Sequence, residues 1–153
     1  MAKLTLHGWD KLEKGLQRMS SQKTVDGIAK RAIYVGAEVM ADALGAAVDN
    51  VPKSNNWAKG LGPKQADGLK AGVGVSTMKN NGGVISNAVG FSGYNEYGQP
   101  NVMLARAWEG GSSINPATHA FSSAIRQARG NAESAMAEQA NEDFQNVADK
   151  AFE

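Results

Sequence analysis

Residues 105–125 read ARAWEGGSSINPATHAFSSAI and connect the middle of the chain to its C-terminal segment. Trp108 is a large apolar side chain that can anchor on a sheet, and Gly110-Gly111 permits a chain reversal that side chains would block. Asn115-Pro116 is typical of an N-cap followed by the first helical position. The stretch therefore predicts a strand-turn-helix junction whose helix is held on the core by Phe121 and Ile125.

The C-terminal helix is expected to cover about residues 116–151. About 36 residues would form a rod about 54 Å long, whereas a compact domain of this size is only about 38 Å across. The helix is therefore expected either to break near Gly130-Asn131 or to project, in which case its apolar stripe needs another subunit. One face carries Phe121, Ile125, Ala128, Ala132, Met136, Ala140, Phe144, Val147 and Ala151.

Two further helices are predicted in the N-terminal third. Asp10 to Met19 has the spacing of a short amphipathic helix, and Lys3 to His7 alternates like a short strand. Thr24 is the expected N-cap of a longer core helix that runs to about Asp49. Gly36 in its middle costs about 1 kcal/mol relative to alanine, which predicts close approach by another element.

The segment from Pro52 to Gly68 is rich in Lys, Gly, Asn and Pro and is predicted to be one long loop. Ordering its roughly 17 residues would cost about 1–2 kcal/mol each in backbone entropy. Trp57 and Leu61 alone cannot offset that cost. We therefore expect the loop to be mobile in the monomer and to be ordered by a partner.

Short strands are predicted between this loop and the junction. Leu69 to Val75 alternates, Asn80 to Gly83 is a hairpin signal, and Val84 to Phe91 is the expected returning strand. Val102 to Glu109 is predicted to be a third strand or a short helical turn. These patterns predict one α+β domain over residues 1–153, with a small, mainly antiparallel sheet containing a β-hairpin packed against two long α-helices.

Composition narrows the class of protein. The chain has 24 alanines but only 40 larger apolar residues, so the core should be thin and completed by neighbouring subunits. Cysteine is absent, which excludes a disulfide framework and a thiolate metal site. The N-terminal residues lack the apolar run of a signal peptide, and no stretch of 18 uncharged apolar residues occurs. Neither export nor membrane insertion is expected.

Charge is unevenly distributed although the net charge is only +1. Residues 53–79 carry five lysines against one aspartate, whereas residues 131–153 carry six acids against one lysine. Two interpretations stay open: these are solvated faces, or they are complementary contacts between subunits.

No catalytic, metal or cofactor site is indicated. His7 and His119 are far apart in the sequence and have no acidic partners at ligand spacing. The loop around Gly60 to Lys64 lacks the residues of a phosphate loop, and no serine lies in a nucleophile elbow. We therefore predict that the chain is not an enzyme and uses no cofactor.

The motif of residues 105–125 resembles the tail-completion, or neck, proteins of lambda-like long-tailed phages. Members of that family carry an aromatic residue, Glu and a Gly-Thr pair, then Pro-Ala with Pro-Phe opening a C-terminal helix. In this chain Gly111 replaces the threonine and Ala120 replaces the second proline. The matching family residues are Trp108, Glu109, Gly110, Gly111, Pro116, Ala117 and Phe121.

The resemblance implies a structural virion protein that joins the tail to the head connector. It implies a homo-oligomeric ring, hexameric in the family, made in the host cytoplasm and then located in the neck of the virion. Expected partners are a head connector or stopper protein and a tail terminator or tail tube protein, with DNA passing through the channel and no membrane contact. The expected subunit-interface residues are Lys53, Trp57, Lys59, Leu61, Lys64, Glu138, Glu142 and Asp143.

Two alternatives remain. A tail terminator that caps the tail tube would belong to the same assembly but occupy another position. A cytosolic nucleic-acid-binding protein would use the lysines of residues 53–70 together with Trp57, and its affinity would fall steeply with salt.

Overall fold

The computed structural model describes residues 9–152, and the exposure of their side chains from residue 11 to residue 151. In this range helices dominate and the strands are short, so the predicted α+β class is confirmed. The strand expected at Lys3 to His7 lies outside the described residues. The elements are α1 (Trp9–Met19), α2 (Gln22–Ala47), a 3₁₀ turn (Val48–Asn50), α3 (Pro63–Ala71), β1 (Val73–Val75), β2 (Lys79–Asn81), β3 (Val84–Ser86), β4 (Val89–Phe91), α4 (Asn101–Gly110) and α5 (Ala120–Phe152).

Helix α2 begins earlier than the sequence predicted. Ser21, rather than Thr24, is the N-cap, since its hydroxyl accepts a hydrogen bond from the Thr24 backbone N–H at 3.3 Å. Thr24 lies in the first turn and donates its own hydroxyl to the Arg18 carbonyl at 2.9 Å. The two polar residues therefore join the end of α1 to the start of α2.

Helices α2 and α5 pack antiparallel along most of their lengths, which makes them the main contact of the fold. Gly36 allows the close approach that the sequence predicted, because a β-carbon there would lie 2.5 Å from the Met136 Cγ. Farther along, Arg31 donates to the Asp143 carboxylate at 2.6 Å. The seam between the helices is narrow because small side chains such as Ala32 and Ala132 are buried in it.

Helix α5 starts later than expected and does not break. It begins at Ala120 rather than at Asn115-Pro116, because the backbone N–H groups of Thr118 and His119 bond to the end of α4 instead of continuing a helix. No interruption occurs at Gly130, since contact with α2 supports the helix on both sides of it. Its 33 residues span about 50 Å.

The prediction of one loop over residues 52–68 is wrong from residue 63 onward. Residues 63–71 form α3, with Pro63 in the first turn and the Gln65 side chain accepting from the Gly62 backbone N–H at 3.1 Å. Ala66 and Leu69 are buried three residues apart, which is a helical spacing. The alternation that suggested a strand from Leu69 to Val75 is therefore partly accidental, and only β1 is extended.

The remaining part of that segment, residues 52–62, is tied back on itself. The Leu61 backbone N–H donates to the Pro52 carbonyl at 2.6 Å, and the Ser54 N–H donates to the Leu61 carbonyl at 3.1 Å. Leu61 is fully buried. That the segment is mobile until a partner orders it stays a prediction, but its anchor residues lie in the core of the single chain.

The predicted hairpin is present, although the sheet is split into two ladders. Strands β2 and β3 meet at Gly82 and Gly83, whose φ angles of 62° and 92° suit a two-residue turn. The expected strand from Val84 to Phe91 is divided in two, and β4 pairs antiparallel with β1. The division arises where the Ser76 hydroxyl accepts from the Ala88 N–H at 2.8 Å, in place of a ladder bond.

Residues 101–110 form helix α4, so neither a third strand nor a single helical turn describes Val102 to Glu109 correctly. Asn101 at its start is buried, and its side-chain amide donates to the carbonyls of Gly68 and Ser92. One amide therefore joins α4 to α3 and to the segment after β4. The largest buried side chains, Val48, Val51, Leu61, Leu69 and Trp108, form the core beside these elements.

Replacing Gly60 by alanine tests the tied-back segment. A β-carbon at Gly60 would lie 2.6 Å from the Lys53 carbonyl carbon and 2.6 Å from the Ser54 nitrogen, and a backbone cannot move aside cheaply. We expect Gly60→Ala to lower the free energy of unfolding by about 2 kcal/mol in urea denaturation. Gly45→Ala in α2, where nothing lies within 4 Å, should instead stabilise the chain by about 0.5–1 kcal/mol. Equal effects of the two variants would show that residues 52–61 are not packed as described.

Candidate functional site

The junction between α4 and α5 carries the motif of residues 105–125, and its centre is a pair of tryptophans. Trp108 is 1% exposed. Its ring meets that of Trp57 edge to face, with ring centroids 5.2 Å apart and planes at 74°. Trp108 therefore anchors a helix in the core rather than lying on a sheet, as the sequence had suggested, and Trp57 belongs to the same contact.

Asn115 connects this tryptophan pair to the turn before α5. With its amide oriented to suit its neighbours, Asn115 donates to the Trp57 carbonyl at 2.9 Å and accepts from the Trp57 Nε1 at 3.2 Å. The residue is buried, so these bonds also satisfy polar groups that water cannot reach. Asn115 is thus a clamp on Trp57 and not the N-cap that the sequence predicted.

The turn itself depends on Gly111. Its φ is 80°, and a β-carbon there would lie 2.8 Å from the Ala117 backbone nitrogen. The reversal brings Thr118 back to α4, where its hydroxyl donates to the Trp108 carbonyl at 2.7 Å. The glycine turn that the sequence predicted is confirmed at Gly111, whereas Gly110 is the last residue of α4 and has open space around it.

Glu109 closes the junction by capping α5. Its carboxylate accepts from the backbone N–H of Phe121 at 2.9 Å and from that of Ser122 at 3.2 Å. Both donors are at the start of α5, where N–H groups lack partners within the helix and the helix dipole favours an anion. Burial acts to raise the pKa of Glu109, but the hydrogen bonds from Ser122 and Phe121 outweigh it, so the pKa is below its ordinary value of 4.5.

The structure brings together most of the motif residues. Trp108, Glu109, Gly111 and Phe121 lie within the junction, while Pro116 and Ala117 are on the exposed turn before α5. Asn115, Thr118 and Trp57 also take part, although their roles were not predicted. Asn115 was expected to cap α5 because it is a short polar residue before a proline. Its actual bonds to Trp57 join residues far apart in the sequence, so no local pattern predicts them. All these contacts hold the fold together.

Several residues expected at a subunit interface are engaged within the chain. Leu61 is buried, and the Lys53 ammonium group donates to the carbonyls of Val48 and Val51. Burial lowers the pKa of Lys53, although Asp49 acts to raise it. Leu61 therefore lies inside the chain, which corrects its assignment as an interface residue. Lys53 is exposed and Trp57 is half-buried, so their place at an interface stays a prediction. Lys53, Trp57 and Leu61 are close in sequence because they belong to one turn that is anchored within the chain.

The charged residues expected at a subunit interface also differ in whether they have partners within the chain. Lys64 forms an exposed ion pair with Glu96 at 2.9 Å, whereas Lys59 is exposed and has no ion pair within residues 9–152. Of the acids on α5, Asp143 is nearly buried against Arg31, so it stabilises the packing of α2 on α5. Glu138 and Glu142 remain on the exposed side of α5. Among the expected interface residues, Lys53, Lys59, Lys64, Glu138 and Glu142 are therefore exposed, and Trp57 is half-buried.

Exposed apolar side chains, which the sequence analysis did not single out, form a second candidate surface. Tyr94 and Met103 are 71% and 67% exposed, and both flank the turn that leads into α4. Tyr97, Val102 and Ile114 are exposed nearby in sequence. Tyrosine and methionine are enriched where proteins contact one another. Exposed large apolar side chains therefore occur both before the motif and, at Ile114, within residues 105–125.

Within residues 9–152, no group of three or more His, Asp or Glu side chains could hold a metal ion. The helices of the same range are each too short or too polar to cross a membrane.

Neutralising Glu109 should change how stability depends on pH. The pKa of Glu109 is lower in the folded chain, so its stabilisation is fully present above pH 4.5 and is lost as the pH falls through the folded-state value. We expect Glu109→Gln to cost about 1 kcal/mol at pH 7 and progressively less in acid, by thermal unfolding between pH 3 and 7. The control is Glu38→Gln, which changes an exposed side chain of α2. A parallel pH profile for Glu109→Gln and the wild type would contradict the cap.

Two neighbouring acids on α5, Asp143 and Glu142, allow a contact within the chain to be distinguished from a contact with another subunit. Asp143→Ala removes the partner of Arg31 and should lower the unfolding free energy of the isolated chain by about 1 kcal/mol, discounted because Arg31 is mostly exposed. Glu142→Ala, one residue away and exposed, should leave the same free energy unchanged. Chemical denaturation at low protein concentration measures both, and an inert Asp143→Ala would return Asp143 to the list of interface residues.

Comparison of the chain with family models, with curated proteins and with solved structures gave no match. The resemblance to phage neck proteins therefore stays a prediction based on residues 105–125. Function has to be inferred from the surfaces and contacts described above.

Proposed function

We propose that the chain is a structural protein of the phage neck, a tail-completion component that assembles as a ring and joins the tail to the head connector. The resemblance of residues 105–125 supplies the family, and the surface of the chain supplies the reason for assembly. Copies of the chain would meet through exposed side chains, while the junction keeps each copy in shape.

The observation that carries the proposal is an excess of exposed surface. The chain has an accessible surface of 10150 Å². A compact monomer of this mass exposes about 7,400 Å², so the excess is about 2,700 Å². A standard interface removes about 800 Å² from each partner, and a ring subunit has two such neighbours.

The side chains on that surface support the same proposal. Large apolar residues with exposures above one third occur on α1, α2, α4 and α5 as well as in the turn before α4. Neighbouring copies in a ring would cover those of these side chains that lie at the subunit contacts. The available charges, Lys59 and Lys64 on one part and Glu138 and Glu142 on another, would add orientation more than affinity.

The tail terminator remains the second candidate, because it would need the same ring-forming surfaces. The nucleic-acid interpretation has less support. Of the four lysines on which it rested, Lys53 is bonded to backbone carbonyls, while Lys64 and Lys70 are paired with Glu96 and Asp49. Trp57 is packed on Trp108 and is not free to stack on a base.

Removal of the chain from the phage that encodes it tests the proposed function. We expect finished heads and finished tails that do not join, visible by negative-stain electron microscopy, and restoration of joining when the chain is supplied in trans. Tails of irregular length would instead identify a terminator. Normal joining of heads and tails without the chain would refute both the tail-completion and the tail-terminator assignments.

A further inference from the structure

One face of helix α3 forms the wall of an open cavity. Lys64, Asp67, Gly68 and Ala71 line it, and their spacing of three or four residues places them on that one face. The opposite wall is the segment from Ser92 to Glu96, which leads toward α4. The cavity has a volume of ≈ 420 Å³, which is within the range of small-ligand sites.

Asn101, at the start of α4, borders this cavity and is 1% exposed. Both hydrogens of its amide nitrogen are used, since Nδ2 donates to the Gly68 and Ser92 carbonyls at 3.0 and 2.8 Å. These bonds fix the orientation of the amide, and the atom left over is its oxygen.

The Asn101 Oδ1 is buried and has no hydrogen-bond partner among the described residues. A β-carbon at Gly68, which lines the cavity, would lie 3.6 Å from that oxygen, so the oxygen is at the cavity wall. A buried acceptor without a bond costs free energy, which a ligand that donates to it would recover.

The charge of the cavity is unbalanced. Lys64 and Glu96 form an ion pair at its mouth, with 2.9 Å between the ammonium nitrogen and the carboxylate. Asp67 lines the same cavity, is exposed, and has no ion pair or side-chain hydrogen bond within residues 9–152. Asp67 and Glu96 against Lys64 leave the lining with a formal charge of −1.

The side-chain groups left free in the cavity mostly accept hydrogen bonds rather than donate them. Ser92 and Asn95 use their donors on oxygens of the chain itself. The Asp67 carboxylate and the Asn101 Oδ1 have no such partner. The exposed Tyr94 adds an aromatic ring, which attracts cations. A cation with several N–H donors suits all three groups.

We propose that this cavity binds a guanidinium group, with the Asp67 carboxylate as its charged anchor and the Asn101 Oδ1 as its inner acceptor. A guanidinium carries five N–H donors in a planar fork, so it can donate to a carboxylate and to an amide oxygen together. It is also more weakly hydrated than an ammonium ion, which lowers the cost of leaving water.

The guanidinium can belong to an arginine side chain of another protein or to a small free guanidine, since both present the same chemistry. The site is independent of the contacts between copies in the proposed ring. Its failure would therefore not bear on the proposed place of the chain in the phage neck.

Titration of the purified full chain with methylguanidinium, followed by NMR, tests the site. The Asn101 side-chain amide signals should shift together with the backbone signals of residues 64–72 and 92–96, and the shifts should saturate. Methylurea has nearly the same shape without the charge and should bind at least about tenfold more weakly. Equal binding of methylurea would overturn the proposal. Shifts near Asp67 without any change at Asn101 would mean an exposed ion pair only, and would overturn it as well.

Substitutions that change the charge of the lining provide the second arm. Asp67→Asn removes the anchor and should weaken methylguanidinium binding by about tenfold or more. Lys64→Ala removes the positive charge at the mouth and should strengthen binding by about twofold to fivefold. The control Asp42→Asn makes the same change of charge at an exposed position of α2 outside the cavity and should leave binding unchanged. Equal effects of Asp67→Asn and Asp42→Asn would show that only the overall charge of the chain attracts the probe, and would overturn the proposal.

Further ligands distinguish the two sources of the guanidinium and exclude a metal ion. An acetylated and amidated Ala-Arg-Ala peptide that binds at least about tenfold more tightly than methylguanidinium would identify a protein side chain as the occupant, whereas equal affinities would identify a free guanidine. The matched Ala-Leu-Ala peptide should not bind. Displacement of methylguanidinium by an equal concentration of Ca²⁺ would identify a metal site and refute the guanidinium site.

Discussion

The burial of Trp108 is the contact on which the rest of the globular part depends. Its ring holds Trp57 and so fixes the segment that precedes α3. Its carbonyl receives Thr118, which sets where the chain turns toward α5. Asn115 then bonds to Trp57 and so links the turn before α5 back to the tryptophan pair. Because the chain has few large apolar residues, one such cluster has to organise several segments that carry little core of their own.

The second constraint is the length of α5. A helix of about 50 Å exceeds the roughly 38 Å diameter of a compact domain of this size, so part of the α2 and α5 pair must extend beyond the globular part. Small residues such as Gly36 and Ala132 let the pair pack closely, but close packing with small side chains buries little apolar area. The extended pair and α1 therefore leave large apolar side chains exposed, among them Leu16, Tyr34 and Phe144.

Sequence patterns predicted the elements whose determinants are local. The presence of the long helix α2 and the glycine turn between β2 and β3 were predicted correctly, because each depends on residues a few positions apart. Helix α3 was missed since Lys, Gly and Gln around Leu69 resemble a loop, and its stability comes from burial of Ala66 and Leu69. The start of α5 was misplaced because Glu109, eleven residues before Ala120, supplies the cap that Asn115 was expected to supply.

The same distinction separates the motif from the surfaces that act. Residues that organise this junction are engaged with their neighbours: Trp108 and Asn115 are buried, and the Glu109 carboxylate is bonded to the start of α5. Such residues identify a family while saying nothing of what its members touch. Contact with another molecule requires side chains that the fold leaves uncovered, and the exposed apolar residues Leu12, Leu16, Tyr94 and Met103 all lie outside the motif. A change at such exposed positions would leave every contact of the junction intact, because the junction residues bond to one another.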